Sequence, residues 1–315
     1  MYEKSILEGI EKLENIKGKK ILLQLPEGLW IYADKIINIL YQQGASEVIW
    51  YKGKTYGACD LPIEEAKRIN ANLVIHIAHS PFLKEKTIEG INIEYIEVFA
   101  DYDINFIIEE LVKHKIERTV LVGHLPFVHK FPEIVKKAKN QNIHIQLHSN
   151  NFLPYPGQIL GCHVANAASS LPHITYIGDG KFHLKGLYVF KKPILALNPF
   201  SQESRLISIK EIEKEEKKKI MRFTAITNAQ SLGIIISSKL GQYKAFAEPV
   251  KKAVEKEFKN KKLTWIIENE INKQDLDYLQ VEAFINLACP RIEDDEIKKP
   301  LLSWKTYLEV KAHLS

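Results

Sequence analysis

Three residues stand out for chemistry: Cys59, Cys162 and Cys289. No two of them have the short spacing of a zinc ribbon or a ferredoxin motif. Their contexts are informative instead. Cys59 lies in TYGACDLP and Cys162 in PYPGQILGCH, and Cys289 is followed directly by Pro290. Glycine-rich loops and a following proline argue against burial inside a regular element, which is the bland fate of a cysteine. Three thiolates brought together hold a 4Fe-4S cluster one ligand short of its usual four, so that one iron keeps an open position. The same logic gives catalytic zinc three protein ligands and one place for chemistry. His163 beside Cys162, or His183, offers an alternative, a structural Cys3His zinc site.

Weaker candidates sit at other strand ends. Gly178, Asp179 and Gly180 follow an expected strand, where glycines admit a close ligand and Asp179 can accept hydrogen bonds. A tight turn explains the same three residues without a ligand. Pro26-Glu27-Gly28 and Ser237-Ser238-Lys239 end strands in the same manner, lining a cleft or merely stopping the strand. His76 and His79 are three apart on an expected strand and so are expected on opposite faces, one in the core and one at the surface. The runs from Glu213 to Lys219 and from Lys259 to Lys262 read as solvated faces.

The elements that must position these residues form a pattern of strand, loop, helix and strand, met three times. The first copy runs from KILLQLPEG at Lys20 through a helix with Ala33, Ile36, Ile37, Leu40 and Tyr41 on one face to EVIWY at Glu47. The second opens at TVLVGHLP, carries Ile134, Val135 and Ala138 on its helix, and continues in IHIQL. The third opens at LGIIISSKLGQ, carries Phe246, Val250, Ala253, Val254 and Phe258, and continues in KLTWII. Further strands are expected at LVIHIAH, IEYIEVF, ITYIG, PILALNP and EAFINLAC, the last ending at Cys289. Ile6, Ile10, Leu13 and Ile16 mark an N-terminal amphipathic helix. Ser208 to Thr227 reads as a connecting helix with Ile209, Ile212, Ile220 and Phe223 on one stripe. Short apolar strands alternating with helices predict parallel sheets covered on both faces. The expectation is therefore an α/β chain of three similar small domains with parallel sheets, 1–104, 105–208 and 209–315, around a pseudo-threefold centre, each owning one cysteine. One large doubly wound sheet is the alternative.

Composition narrows the function classes. The 315 residues are 45% hydrophobic and 26% charged, as in an ordinary globular protein. A net charge of +5 is a mild excess that does not announce nucleic-acid binding. The charged start has no apolar run of a signal peptide, no segment is long and apolar enough for a membrane span, and three cysteines are too few for a secreted disulfide scaffold. A cytoplasmic protein with reduced thiols is expected.

The runs TYGACD, PYPGQILGC and NLACPRIEDDE, with LQLPEGL near the start and YIGDGKFHLKGL from Tyr176 to Leu187, resemble the archaeal diphthamide synthase family, the 2-(3-amino-3-carboxypropyl)histidine synthases. The resemblance spans nearly the whole chain. Leu184 stands where the family pattern leads us to expect Pro. The resemblance implies a homodimer of three-domain subunits, with Cys59, Cys162 and Cys289 as ligands of one 4Fe-4S cluster. It also implies S-adenosylmethionine as cosubstrate and an electron donor; Gly178, Asp179, Gly180 and Ser237, at their strand ends, are the candidate contacts for that cosubstrate. The implied reaction cleaves the bond from sulfur to the methionine γ-carbon and adds the 3-amino-3-carboxypropyl radical to C2 of a histidine in translation elongation factor 2. Two other readings share the pattern. A quinolinate synthase-like enzyme also joins three α/β domains to a three-cysteine cluster but acts as a Lewis acid. A metal-stabilised binding subunit would catalyse nothing.

Overall fold

The computed structural model describes residues 2–81, 85–243, 248–294 and 297–314. Strands form where β-branched and leucine residues run together, and among these residues they build three separate sheets. The first contains β1 (Lys20–Gln24), β2 (Glu47–Tyr51), β3 (Leu73–Ile77), β4 (Thr87–Ile88) and β5 (Ile91–Ile96), in the order β2-β1-β3-β5-β4. The second contains β6 (Arg118–Gly123), β7 (His144–Gln146), β8 (His173–Ile177), β9 (Ile194–Asn198) and β10 (Glu203–Ile207), in the order β10-β9-β8-β6-β7. The third contains β11 (Ser231–Ser237), β12 (Lys262–Glu268), β13 (Ala283–Asn286) and β14 (Leu301–Ser303), in the order β12-β11-β13-β14.

One topology recurs in all three. The second strand pairs on one side of the first, the third pairs on the other, and a fourth parallel strand follows. The strand order thus reverses at the first strand of each sheet, which opens a crevice beyond its carboxyl end. Two edges depart from the expected parallel pairing: β4 runs antiparallel to β5, and β10 antiparallel to β9. Both are joined to their neighbour by short turns, which permit only the antiparallel direction.

The chain divides into two compact units, Met1–Ile209 with the first two sheets and Lys210–Ser315 with the third. In the first unit, Ile6 and Ile10 of the helix Glu3–Glu11 pack with Ile36 and Leu40 of the helix Ala33–Gln42 over Ile21, Leu23 and Ile75. Around the second sheet, Ile107 and Leu111 of the helix Ile104–Lys113 join Phe127, Phe131 and Ile134 over Leu121 and Leu195. Asp103 caps that helix by accepting from the Asn105 amide at 2.9 Å, which satisfies one of its open N–H groups. In the second unit, Ile234 and Ile235 point to opposite faces. Ile234 packs with Val254, Ile285 and Tyr307, and Ile235 with Leu276, Phe284 and Leu301. The sheet is therefore buried on both faces, as near-continuous apolar strands require.

Several expectations are corrected. Strand β3 ends at Ile77, so His79 is not on it, and β13 ends at Asn286, three residues before Cys289. Strand β5 spans Ile91–Ile96 and leaves Val98 and Phe99 outside. Tyr41 and Ile209 are exposed, because each lies at the margin of its helix's apolar face. The helix Glu3–Glu11 stops before Leu13 and Ile16, although Ile16 is buried by the turn that follows. The helix Ile209–Asn228 buries Ile212 and Ile226, and Phe223 packs against the cluster that holds Ile226. The helix Glu248–Glu257 carries Val250, Ala253 and Val254, while Phe246 lies outside the described residues, as do Asp295 and Glu296 of the NLACPRIEDDE run.

Gly123, the last residue of β6, offers a sharp test of packing. A Cβ there would sit 2.5 Å from the Ile177 carbonyl oxygen and 2.9 Å from the Phe131 ring, whereas one on Gly28 would meet nothing within 4 Å. Gly123→Ala is expected to cost about 1–3 kcal/mol by forcing β6 and β8 apart. Gly28→Ala is expected to stay within about 0.5 kcal/mol of the parent. Urea midpoints of the two variants measured side by side check this, and equal midpoints contradict it.

Candidate functional site

The chemistry-bearing loops all leave the carboxyl ends of parallel strands, where α/β sheets place their sites. The Cys59 loop follows β2. Its neighbour Asp60 is buried and holds the loop from both ends: its carboxylate accepts from the Tyr56 amide at 3.1 Å, and its own amide donates to the Gly57 carbonyl at 3.0 Å. Its carbonyl accepts from the Gln24 side chain at 2.7 Å. Gln24 is the last residue of β1 and fully buried, so the loop is tied to the middle of the sheet.

The Cys162 loop follows β7. Leu160 and His163 exchange both of their backbone hydrogen bonds at 2.9 Å, which leaves Gly161 and Cys162 at the tip of a two-residue turn. Asn166, buried, donates to the Gln158 carbonyl at 2.8 Å, and the Gly161 amide donates to Nδ1 of His183 at 3.0 Å. A Cβ on Gly161 would meet the Phe182 ring at 2.5 Å, so the turn needs glycine for the ring to close over it.

In the second unit, Asn286 ends β13 and is buried. Its amide donates to the Cys289 carbonyl at 2.9 Å, and its side-chain oxygen accepts from the Ala288 amide at 2.9 Å. The 3-10 turn Pro290–Asp294 starts immediately after Cys289. Each of the three cysteines is a thiol, not half of a disulfide. Cys162 is exposed, and Cys59 and Cys289 are half-buried. A set of thiols on turns beyond sheet ends suits a thiolate-held cluster. Among the described residues no three His, Cys, Asp or Glu side chains stand close enough together to hold a metal ion.

A second group lies in the first unit at the ends of β3, β6 and β8. His124 follows β6. It bonds the Asp179 carboxylate through Nε2 at 3.0 Å and the Tyr176 hydroxyl through Nδ1 at 3.2 Å, and it stacks on His183 with ring centres 4.7 Å apart. The bond from His124 holds the Asp179 carboxyl below its usual range against the opposing effect of partial burial. Burial, with Asp179 nearby, pushes the Tyr176 hydroxyl far up, so it stays protonated. Gly178 is bare because His124 and Tyr176 close over it: a Cβ would come within 2.7 Å of the His124 ring. Gly180 has φ +71°, which favours glycine.

The expectation for His76 and His79 fails instructively. Strand β3 stops at Ile77, and Ala78 takes φ +77°, a left-handed conformation uncommon for residues with a side chain. The kink turns His79 back, so that its Nδ1 lies 2.9 Å from Nε2 of the fully buried His76. His76 Nδ1 in turn lies 2.6 Å from Gln24 Oε1. Ser237, at the end of β11, is buried and accepts from the Lys239 amide at 3.2 Å. Sequence reasoning missed Gln24, Asp60, Asn166, Asn286 and His124. The available signal was a polar residue closing an otherwise apolar strand, as in KILLQ and AFIN.

Comparison with known proteins gives one consistent result. Residues 25–312 match the model of the diphthamide synthesis protein family. The chain is 28% identical to the 2-(3-amino-3-carboxypropyl)histidine synthase of Pyrococcus horikoshii, over 95% of this chain and 87% of that protein. It is 26% identical to subunit 1 of the corresponding synthase of Caenorhabditis elegans, over 96% of this chain and 78% of that protein. The crystal structure of Dph2 from Pyrococcus horikoshii with a 4Fe-4S cluster superposes with a TM-score of 0.85 and 26% identity, covering 99% of this chain and 91% of that one.

The histidine pair makes the first unit acid-sensitive. Burial, and repulsion from His79, drive the His76 pKa well down. Burial, with His124 near and the Ile77 carbonyl opposing, pushes the His79 pKa down to about 4. Unfolded histidine takes a proton near 6.5, so the unfolded chain binds protons more tightly than the folded one. Stability is therefore full above about pH 6.5 and falls as the pH drops toward about 4, by on the order of 3 kcal/mol for His79 alone. Urea unfolding at pH 7 and pH 4.5 is expected to show a smaller acid loss in His79→Gln than in the parent, and an identical loss contradicts it.

Proposed function

The chain belongs to the diphthamide synthesis protein family, and on that premise we propose that it transfers a 3-amino-3-carboxypropyl group from S-adenosylmethionine to C2 of a histidine in translation elongation factor 2. The observation that carries this reading is the set of three thiols, each on a turn beyond a sheet end and each turn clamped through its main chain by a buried side chain or a neighbouring imidazole. Cys59, Cys162 and Cys289 would hold a 4Fe-4S cluster, in keeping with the cluster named for the Pyrococcus Dph2 structure. A cluster held there would supply the electron for breaking the bond from sulfur to the γ-carbon.

The chain's own residues do the rest. Gln24, His183 and Asn286 keep the three turns in place, so little loop ordering is left for the moment of binding. The Asp179 carboxylate, held ionised by His124, offers a negative partner to the positively charged cosubstrate, with Gly178 and Gly180 shaping the turn beneath it. Ser237 is the remaining candidate contact. In this reading the subunit has three domains, 1–104, 105–208 and 209–315, works as a cytoplasmic homodimer, and draws its electron from an external donor. No helix among the described residues is long and apolar enough to cross a membrane.

The test is an anaerobic reconstitution followed by an assay with dithionite, labelled S-adenosylmethionine and the cognate elongation factor. The parent is expected to bind on the order of four irons per chain, to label the factor and to release methylthioadenosine. Cys→Ala at position 59, 162 or 289 is expected to strip or destabilise the cluster. Full iron retention in all three variants excludes the ligand assignment. Release of 5′-deoxyadenosine excludes the cleavage site, and efficient condensation of iminoaspartate with dihydroxyacetone phosphate favours the quinolinate synthase-like reading instead.

A further inference from the structure

The hydrogen bonds that leave the Cys59 loop have a direction that can be read atom by atom. The Asp60 carbonyl only accepts, so the Gln24 group facing it at 2.7 Å is the amide nitrogen. The other Gln24 atom is then the oxygen, which also only accepts, so His76 Nδ1 at 2.6 Å carries a proton. His76 is fully buried and uncharged, so its Nε2 is bare and accepts. The atom facing it at 2.9 Å, His79 Nδ1, must therefore be the donor. One main-chain carbonyl thus dictates an amide orientation and two tautomers; in its Nδ1–H form His79, whose ring is also bonded by the Ile77 carbonyl, carries its lone pair on Nε2.

Two further observations say that this arrangement is held on purpose. Ala78 adopts a left-handed backbone, φ +77°, to bring His79 back over His76. Such strain in a residue with a side chain persists only where its surroundings enforce it, and it gathers at functional sites. His79 also lies within electrostatic reach of His124, which bonds the Asp179 carboxylate at 3.0 Å. Ser80, the next residue, accepts from the Gln158 side chain at 3.2 Å, so His79 sits where the end of β3 meets the Cys162 turn, and an acceptor nitrogen there suits an N–H donor.

We propose that Gln24 and His76 are positioning residues that lock His79 in its Nδ1–H form, and that His79 Nε2 accepts a hydrogen bond from a primary ammonium group of the bound substrate. The identity of that ammonium, the α-ammonium of S-adenosylmethionine, rests on the function proposed above; the locked tautomer does not.

Two measurements on the full chain separate these layers. The first is long-range 1H–15N correlation of the imidazoles in protein labelled at histidine, assigned with His76→Gln and His79→Gln. At pH 7 both rings are expected as uncharged Nδ1–H tautomers, and Gln24→Leu is expected to release His76 to a mixture. His79 as an Nε2–H donor, turned to the Ile77 carbonyl, or as a charged imidazolium overturns the inference, and the parent spectrum decides this even if Gln24→Leu does not fold. The second is steady-state kinetics of the reconstituted enzyme. His79→Phe is expected to raise KM for S-adenosylmethionine about ten- to hundredfold, the range of one lost hydrogen bond to a charged group, and to raise it more than it lowers kcat. An unchanged KM overturns the acceptor role. A parent chain that transfers nothing sinks the proposed function, and the ammonium assignment with it, while the tautomer result stands.

Discussion

The hydrogen bond that the Gln24 amide donates to the Asp60 carbonyl joins the interior of the first sheet to its chemistry. A buried amide at the end of an apolar strand cannot be left without partners, because an unsatisfied polar group costs about 1–3 kcal/mol. Gln24 meets that demand with one main-chain carbonyl and one imidazole, so the loop carrying Cys59 and the ring of His76 are fixed by the same side chain. Asn286 applies the rule in the second unit, where one amide satisfies two main-chain atoms around Cys289. Each of these bonds reaches a main-chain atom of its loop, so the position of the loop is specified by the sheet that it leaves.

The same economy ties the two halves of the first unit together near their strand ends. Gln158, buried behind the Cys162 turn, donates to the Ser80 hydroxyl at 3.2 Å, one residue beyond His79. Tyr155 donates to the Glu97 carboxylate, and burial together with that bond pushes its own pKa well up. Both partners come from loops that leave different sheets. These contacts matter more than the many exposed lysine–glutamate pairs on the helices, which solvent and salt screen to about 0–1 kcal/mol each.

Strand cores were legible because β-branched runs have few alternatives; KLTWII and EVIWY fall where their composition puts them. Edges were not. Strand β10, ESRLI, is largely exposed and carries little apolar signal, and β4 is two residues long. Strand ends were the costlier failure. LVIHIAH reads as seven continuous residues, yet the chain leaves the sheet at Ala78, a residue whose identity gives no hint of a left-handed turn. Three of the candidate residues were legible as cysteines in irregular contexts, and Asp179 as part of a turn. Their supports were not, since Gln24 declares its purpose only when Asp60, 36 residues further on, is in place, and Asn166 and Asn286 only when the irregular loops beside them have folded.

Ala78 sets a trap for anyone hoping to make this protein more robust. Glycine at that position would relieve the backbone, and a search for stabilising substitutions would select it readily. The methyl group is nevertheless part of what limits the chain to one narrow exit from the sheet. A glycine would widen that exit to several conformations of similar energy, only one of which returns His79 to His76. Relief of the backbone and the single placement of His79 are therefore opposed at one carbon atom, and selection for the first alone would drift away from the second.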